Sequence, residues 1–127
     1  MTTLVLRRID DARRVLVESS CEPPDALEGK TAYDAGYRRI VNERELPAGR
    51  ARVFETGGEF VLIIRESNRV CAFDAQPMVP AERTPHLVHA QQFTVEPAVS
   101  PAAEAHRLDP LPVAMEDGWI WVGVEER

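Results

Sequence analysis

The chain has 127 residues, of which 44% are hydrophobic, and its formal net charge is −6 at neutral pH. A chain of this length and composition predicts one compact domain and excludes a wholly disordered protein. The negative charge disfavours a nucleic-acid or anionic-membrane partner, because both require clustered positive charge.

Nothing in the sequence indicates export or a membrane span. The longest apolar run, residues 60–64, is far shorter than the roughly 20 residues that cross a bilayer. The N-terminus, MTTLVLRRIDD, lacks the order of segments that defines a signal peptide. We therefore predict a cytoplasmic protein. Cys21 and Cys71 do not form a CxxC motif, and in that compartment they are predicted to be free thiols, with a Cys21–Cys71 disulfide as the open alternative.

Residues 1–36 are predicted to be an N-terminal extension, packed on the domain or separate from it. The first 20 residues contain two apolar patches around an Asp10-Asp11 pair, which indicate either two strands or a short capped helix. The β-branched Val15 and Val17 favour strands. Residues 19–36 contain Pro23-Pro24 and predict a connection. The extension could enlarge the sheet, cover an edge strand or mediate dimerisation.

Residues 37–127 are predicted to form the main domain, which is all-β. Gly57-Gly58 indicates a tight hairpin because both residues tolerate positive φ, and Glu116-Asp117-Gly118 indicates a second tight turn. Short strands separated by turn residues are typical of a small sandwich or barrel. The strand-like segments, in chain order, are YRRIVNE, ARVFET, FVLIIRE, RVCAF, FTVEP and WIWVGVE.

Two segments carry a resemblance to a known family: ELPAGRARVFETGGEFVLIIRESNRVCAFDA, residues 45–75, and HRLDPLPVAMEDGWIWV, residues 106–122. Their order resembles the Rieske domain, a small β fold that normally holds a [2Fe–2S] cluster. In that family a strand leads to a Leu-Pro-x-Gly-like turn, a hairpin, an apolar strand and a strand that enters the first cluster loop. A Pro-Val segment, a Gly turn and a short apolar strand close the domain. The resemblance covers residues 37–124 and implies a Rieske-like sandwich or barrel with an N-terminal extension.

The resemblance fails at the cluster ligands. The family supplies two thiolates and two imidazoles from C-x-H and C-x-x-H motifs. Aligned on the flanking strands, this chain has amides, a thioether and a displaced histidine there, so the resemblance implies that no cofactor is bound. Cys71 lies inside the RVCAF strand and is predicted to be a small buried residue. The four ligand-aligned positions are Gln76, Met78, His89 and Gln92.

The histidines form a weaker candidate for a metal site. His86 and His89 are spaced i, i+3 and, together with His106 and an acid such as Glu104, could complete a four-ligand set. Pro85 precedes His86, and a proline-rich loop does not hold helical spacing. A solvated loop is therefore favoured, and no metal is predicted. The chain also shows no Gly-x-Ser-x-Gly frame and no phosphate-binding loop, so no catalytic residue is predicted.

Trp119 and Trp121 alternate with Ile120 and should share one face of the last strand. Two alternatives stay open for that face. It is either an exposed aromatic contact surface or a surface covered by the N-terminal extension.

The resulting hypothesis is an accessory or interaction subunit that is not catalytic by itself. The small subunit of some assimilatory nitrite reductases is a precedent, since it resembles a Rieske domain without cluster ligands. The expected partner is a protein, in particular a larger oxidoreductase subunit, and a homo-oligomer is compatible with the sequence. The alternatives are a Rieske-type electron-transfer ferredoxin and a small histidine-based metal-binding protein.

Overall fold

The computed structural model describes residues 2–9, 14–19, 29–67, 69–78, 92–96 and 104–124. These ranges consist of short strands with one 3₁₀ turn at Gln76–Met78, so the predicted all-β class is confirmed. None of their helical turns has the length or apolar character that crossing a membrane requires. The strands are β1 (Thr2–Arg8), β2 (Arg14–Ser19), β3 (Arg38–Asn42), β4 (Arg50–Thr56), β5 (Glu59–Arg65), β6 (Val70–Asp74), β7 (Gln92–Glu96), β8 (Glu104–Arg107), β9 (Pro110–Leu111), β10 (Val113–Glu116) and β11 (Trp119–Val122).

The strands form two sheets. The larger sheet has eight strands in the order β8-β2-β1-β7-β4-β5-β6-β9, and the smaller has the order β10-β11-β3. Within the described strands, neighbours pair antiparallel except β2 and β8, which are parallel. Since β8 and β9 are the two ends of the larger sheet, that sheet does not close into a barrel.

The N-terminal apolar patches form strands, as their β-branched residues predicted. β1 pairs with β2 in a register that places Leu4 opposite Val17 and Leu6 opposite Val15. β1 also pairs with β7, so the extension enlarges the sheet and covers the edge of β7. These strands contribute buried side chains to the same core as β4–β6. The boundary at residue 36 between the extension and the main domain stays a prediction.

Strand β5 lies at the centre of the molecule and is buried on both faces. Its continuous apolar run is typical of such a strand, because side chains alternate between two faces and both faces here are covered. Phe60, Leu62 and Ile64 belong to the first core, on one face of the larger sheet. Val61 and Ile63 belong to the second core, between the two sheets, where they pack with side chains of the smaller sheet such as Val41, Val113, Ile120 and Val122.

Two hairpin turns form where glycine indicated them. Thr56 pairs with Glu59, and the intervening Gly57 and Gly58 have φ of 58° and 85°. Both values are positive, which favours glycine and matches the right-handed twist of the strands. Glu116 pairs with Trp119 across the second turn, whose residue Asp117 also has a positive φ of 53°.

Arg65 ties the Leu46–Gly49 turn to the larger sheet. Its Nη1 donates to the carbonyl oxygen of Glu43 at 3.0 Å and to that of Leu46 at 3.3 Å. The backbone nitrogen of Gly49 donates to the Arg65 carbonyl, and the Gly49 carbonyl accepts from Val95. The turn is thereby joined to both β5 and β7.

Candidate functional site

The end of β6 is a short, well-bonded turn. The Gln76 backbone nitrogen donates to Asp74 Oδ1 at 3.0 Å, and the Met78 nitrogen donates to the Ala75 carbonyl at 2.9 Å. The Ala75 nitrogen donates in turn to the Phe60 carbonyl on β5 at 2.9 Å. These bonds explain why a Pro77-containing segment folds as one 3₁₀ turn directly after the strand.

Three of the ligand-aligned positions lie in the described residues, and they differ in burial and in their place in the fold. Gln76 is half-buried at the start of the 3₁₀ turn, whereas Met78 is buried and belongs to the first core. Gln92 is exposed and opens β7, where its carbonyl oxygen accepts from Ile9 at 3.0 Å. His89 lies outside the described residues.

The structure brings Gln76 and Met78 together but places Gln92 elsewhere in the larger sheet. Gln92 pairs with Arg52 on β4, and Arg52 lies in the same row of the sheet as Ala72 on β6. Two strands, β4 and β5, therefore separate β7 from β6, and neighbouring strands are spaced about 4.8 Å apart. The side chains at these three positions, two amides and a thioether, do not fit a [2Fe–2S] cluster, which needs thiolates and imidazoles.

Cys71 is disulfide-bonded, so the prediction that it is a free thiol is wrong. Its place in β6 is as predicted, and its side chain is 2% exposed within the first core. The chain contains one other cysteine, Cys21, which lies outside the described residues. The prediction rested on the missing CxxC motif and on a reducing compartment, and neither determines how close two cysteines lie in the folded chain.

The structure describes only part of the predicted histidine set. His86 and His89 lie outside the described residues, and His106 is half-buried in β8, where it pairs with Val17 of β2. Glu104 begins the same strand. In the ranges that the structure describes, no group of three or more His, Cys, Asp or Glu side chains is arranged to hold a metal ion.

Trp119 and Trp121 share the outer face of the smaller sheet, with Ile120 and Val122 buried on the inner face. Both indole rings are half-buried, so this face is neither fully exposed nor fully covered. The Arg39 guanidinium lies 4.4 Å from the centre of the Trp119 ring, within the range of a cation–π contact. Trp121 Nε1 is buried and finds no hydrogen-bond partner among the described residues.

A segment of the N-terminal extension touches the edge of this face. The Ala32 backbone nitrogen donates to Glu116 Oε2 at 2.8 Å, and Ala32 itself is fully buried. Tyr33, the next residue, is 77% exposed, and Met115 beside Glu116 is 40% exposed. The extension thus meets the smaller sheet at the end of β10.

A groove of about 460 Å³ lies beside the turn that follows β6. We call it the Asp74 groove; no sequence pattern pointed to it, because its walls come from distant parts of the chain. Phe60 and Val61 of β5 border the groove, but they are 4% and 0% exposed and present almost no side-chain surface to it. Six of its lining residues are Tyr37, Glu59, Phe60, Asp74, Asp109 and Leu111.

Backbone hydrogen bonds hold the walls of the Asp74 groove. The Asp74 nitrogen donates to the Asp109 carbonyl at 2.9 Å, which joins the end of β6 to the segment before β9. The Gly123 nitrogen donates to the Pro112 carbonyl at 2.8 Å on the opposite side. Such pairing gives a groove whose shape is set before any ligand arrives.

Glu96 is the centre of an ionic cluster on the larger sheet. Arg14 Nε donates to Glu96 Oε2 at 2.9 Å, and Arg7 Nη1 lies 3.6 Å from Oε1. The hydrogen bond from Arg14 and the charges of both arginines lower the pKa of the Glu96 carboxyl below its ordinary value. This cluster links β1, β2 and β7, so it holds three strands of the larger sheet together.

Comparison with known proteins assigns no family to the chain. No protein-family model matches it, and no curated protein is significantly similar to it in sequence.

Proposed function

We propose that the chain is an accessory or interaction subunit with a cluster-less Rieske-like fold, and that it works with a larger oxidoreductase subunit. The observation that carries the proposal is the chemistry of the turn after β6. Gln76 and Met78 stand at the ligand-aligned positions, and Met78 contributes to the core. The turn keeps a rigid attachment to β5 and β6 while offering no iron ligand.

The order of elements also supports the proposal. A strand leads into the Leu46–Gly49 turn, a hairpin and the apolar β5 follow, and β6 runs into the turn at Gln76. A Pro-Val segment, the Gly118 turn and β11 close the series. This is the sequence of elements on which the resemblance rests. A rigid scaffold that presents a loop is a usual place for recognition, which favours binding over catalysis.

A cytoplasmic location is part of the proposal. Disulfides are rare in that compartment, so the disulfide at Cys71 makes the location a direct experimental question. Alkylation of thiols in intact cells before lysis, followed by mass spectrometry, would report whether Cys71 is oxidised there.

The test of the proposal is capture of the partner from the native host by the full-length chain. We expect an identified oxidoreductase subunit in stoichiometric amount. Pro77 is exposed at the tip of the turn, so Pro77→Glu should abolish capture. Pro47→Glu is a matched control, because Pro47 is an exposed proline in a different turn and the substitution adds the same charge.

Two results would contradict the proposal. One is a monomer that captures no oxidoreductase subunit from the host. The other is visible absorption bands with bound iron and sulfide in anaerobically purified protein, which would support the electron-transfer alternative. Bound zinc in protein prepared without a histidine tag would instead support the metal-binding alternative.

A further inference from the structure

We propose that the Asp74 groove binds a small organic cation, namely a primary amine on a compact apolar body. The charge of the lining is the first reason. The lining includes three acidic side chains, Glu59, Asp74 and Asp109. No basic residue is among the described residues that line the groove. A protonated amine would neutralise part of this charge, whereas an anion would be repelled.

Two of the three acidic side chains are not engaged in ion pairs within the part of the chain that the structure describes. The carboxylates of Glu59 and Asp109 form no salt bridge within the described part of the chain. Asp74 Oδ1 accepts a hydrogen bond from the Gln76 nitrogen, which fixes the position of its carboxylate at the edge of the groove. Two of the three charges therefore remain available to a ligand.

The apolar surface of the groove determines the body of the ligand. Leu111, Pro112 and Val124 are half-buried and supply that surface, and Tyr37 adds an aromatic ring at the wall. The volume of about 460 Å³ lies in the range of small-molecule sites, which runs from about 300 to 1,000 Å³. An ammonium group alone would leave this apolar surface exposed to water, so the ligand that fits best has both charge and apolar bulk.

Gly123 sets the width of the groove. A Cβ at this position would lie 2.7 Å from Pro112 Cγ and 3.0 Å from Tyr37 Cε1. The first contact is too close for carbon atoms and the second is unusually tight, so a larger residue would displace the Pro112 ring and crowd Tyr37. The glycine therefore allows Tyr37 and Pro112 to approach each other across the backbone.

The inference does not depend on the accessory role, since the groove could serve a free-standing protein equally. Its test is titration of the isotope-labelled full-length chain with benzylamine, followed by amide chemical shifts. We expect saturable shifts at Gly36, Leu111 and Gly123, with a Kd on the order of a millimolar for so small a probe. Benzyl alcohol has the same shape without the charge, and methylamine has the charge without the body, so both should bind much more weakly.

Conservative variants identify the groups responsible. Glu59→Gln and Asp109→Asn each remove one of the two available charges and keep the size of the side chain. Each should weaken benzylamine binding roughly twofold to fivefold, and the double variant by about the product. Asp117→Asn is the matched control. It makes the same chemical change in the second hairpin turn, away from the groove, at a positive φ that asparagine tolerates.

Three outcomes would overturn the inference. Benzyl alcohol could bind as tightly as benzylamine, which would remove the role of charge. The Glu59→Gln/Asp109→Asn variant could bind with unchanged affinity while retaining a well-dispersed spectrum. Finally, arginine within a short blocked peptide could bind tighter than any free amine, which would assign the groove to a protein partner.

Discussion

The Nη1 of Arg38 donates to the carbonyl oxygen of Thr56 at 2.9 Å, and this bond joins the two sheets. Arg38 begins β3 of the smaller sheet, and Thr56 ends β4 of the larger one. The guanidinium lies against Gly57, so that a Cβ added there would collide with Nη1. The first hairpin turn is therefore a point of contact between sheets as well as a reversal of the chain.

Substitutions at Gly57 and Gly58 should separate the contribution of the contact between the sheets from that of the chain reversal. Gly58→Ala introduces a side chain at a positive φ with open space around it, so we expect a loss of about 1 kcal/mol. Gly57→Ala carries the same backbone strain and also displaces Arg38, so it should lose about 1 kcal/mol more. Urea unfolding of both variants measures the difference. Equal losses would show that the Arg38 bond does not stabilise the fold.

Because β5 is buried on both faces, a core substitution on either face should destabilise the protein. Leu62→Ala leaves a cavity in the first core and Ile63→Ala leaves one in the second. Each should reduce the free energy of unfolding by about 2–5 kcal/mol. Ile9→Ala is the control, because Ile9 is 50% exposed and its loss should cost far less. A small effect at Ile63 alone would mean that the smaller sheet packs loosely on β5.

Reduction of the disulfide at Cys71 should destabilise the protein by about 2–4 kcal/mol, because the cross-link restricts the unfolded chain. The measurement is urea unfolding with and without a thiol reductant. Thiol titration of the oxidised protein in denaturant should detect no free thiol. A Cys71→Ala variant is the control, since its stability should no longer respond to the reductant. Two titratable thiols in protein purified without reductant would contradict the disulfide.

The Glu96 cluster predicts a specific loss of stability in acid. The hydrogen bond from Arg14 lowers the pKa of Glu96 from its ordinary value of 4.5. Because the unfolded chain lacks this bond, the stabilisation is complete above the ordinary pKa and is lost as pH falls through the lower, folded-state pKa. Unfolding measured on acidification should show a smaller decline for Glu96→Gln than for the wild type. Glu55→Gln, an exposed carboxylate on β4, is the control and should decline as the wild type does.

Local pattern was sufficient for most strands because alternation and turn residues act over a few positions. The β-branched Val15 and Val17 indicated β2, and Gly57-Gly58 indicated the β4–β5 hairpin. The burial of Cys71 also followed from its place within an apolar strand. Each of these features depends on backbone preference or on side chains that alternate between faces.

The candidate sites were harder to predict because they depend on contacts between distant residues. The Rieske resemblance aligned Gln76 and Gln92 with ligands of one cluster, but the sheet order places β4 and β5 between β6 and β7. The Asp74 groove combines residues near positions 37, 59, 74, 109 and 123, and no motif connects them. Spacing along the chain carries no information about such an arrangement.

The sequence by itself determined the all-β class and the positions of the hairpin turns, since these follow from local propensity and residue type. Only the tertiary structure decided that the N-terminal strands join the larger sheet, that β8 lies parallel to β2, and that Cys71 is cross-linked. It also decided where the acidic groove forms. The physical reason is that strand pairing and cavity shape result from the burial of apolar surface and from backbone hydrogen bonds between segments far apart in the chain.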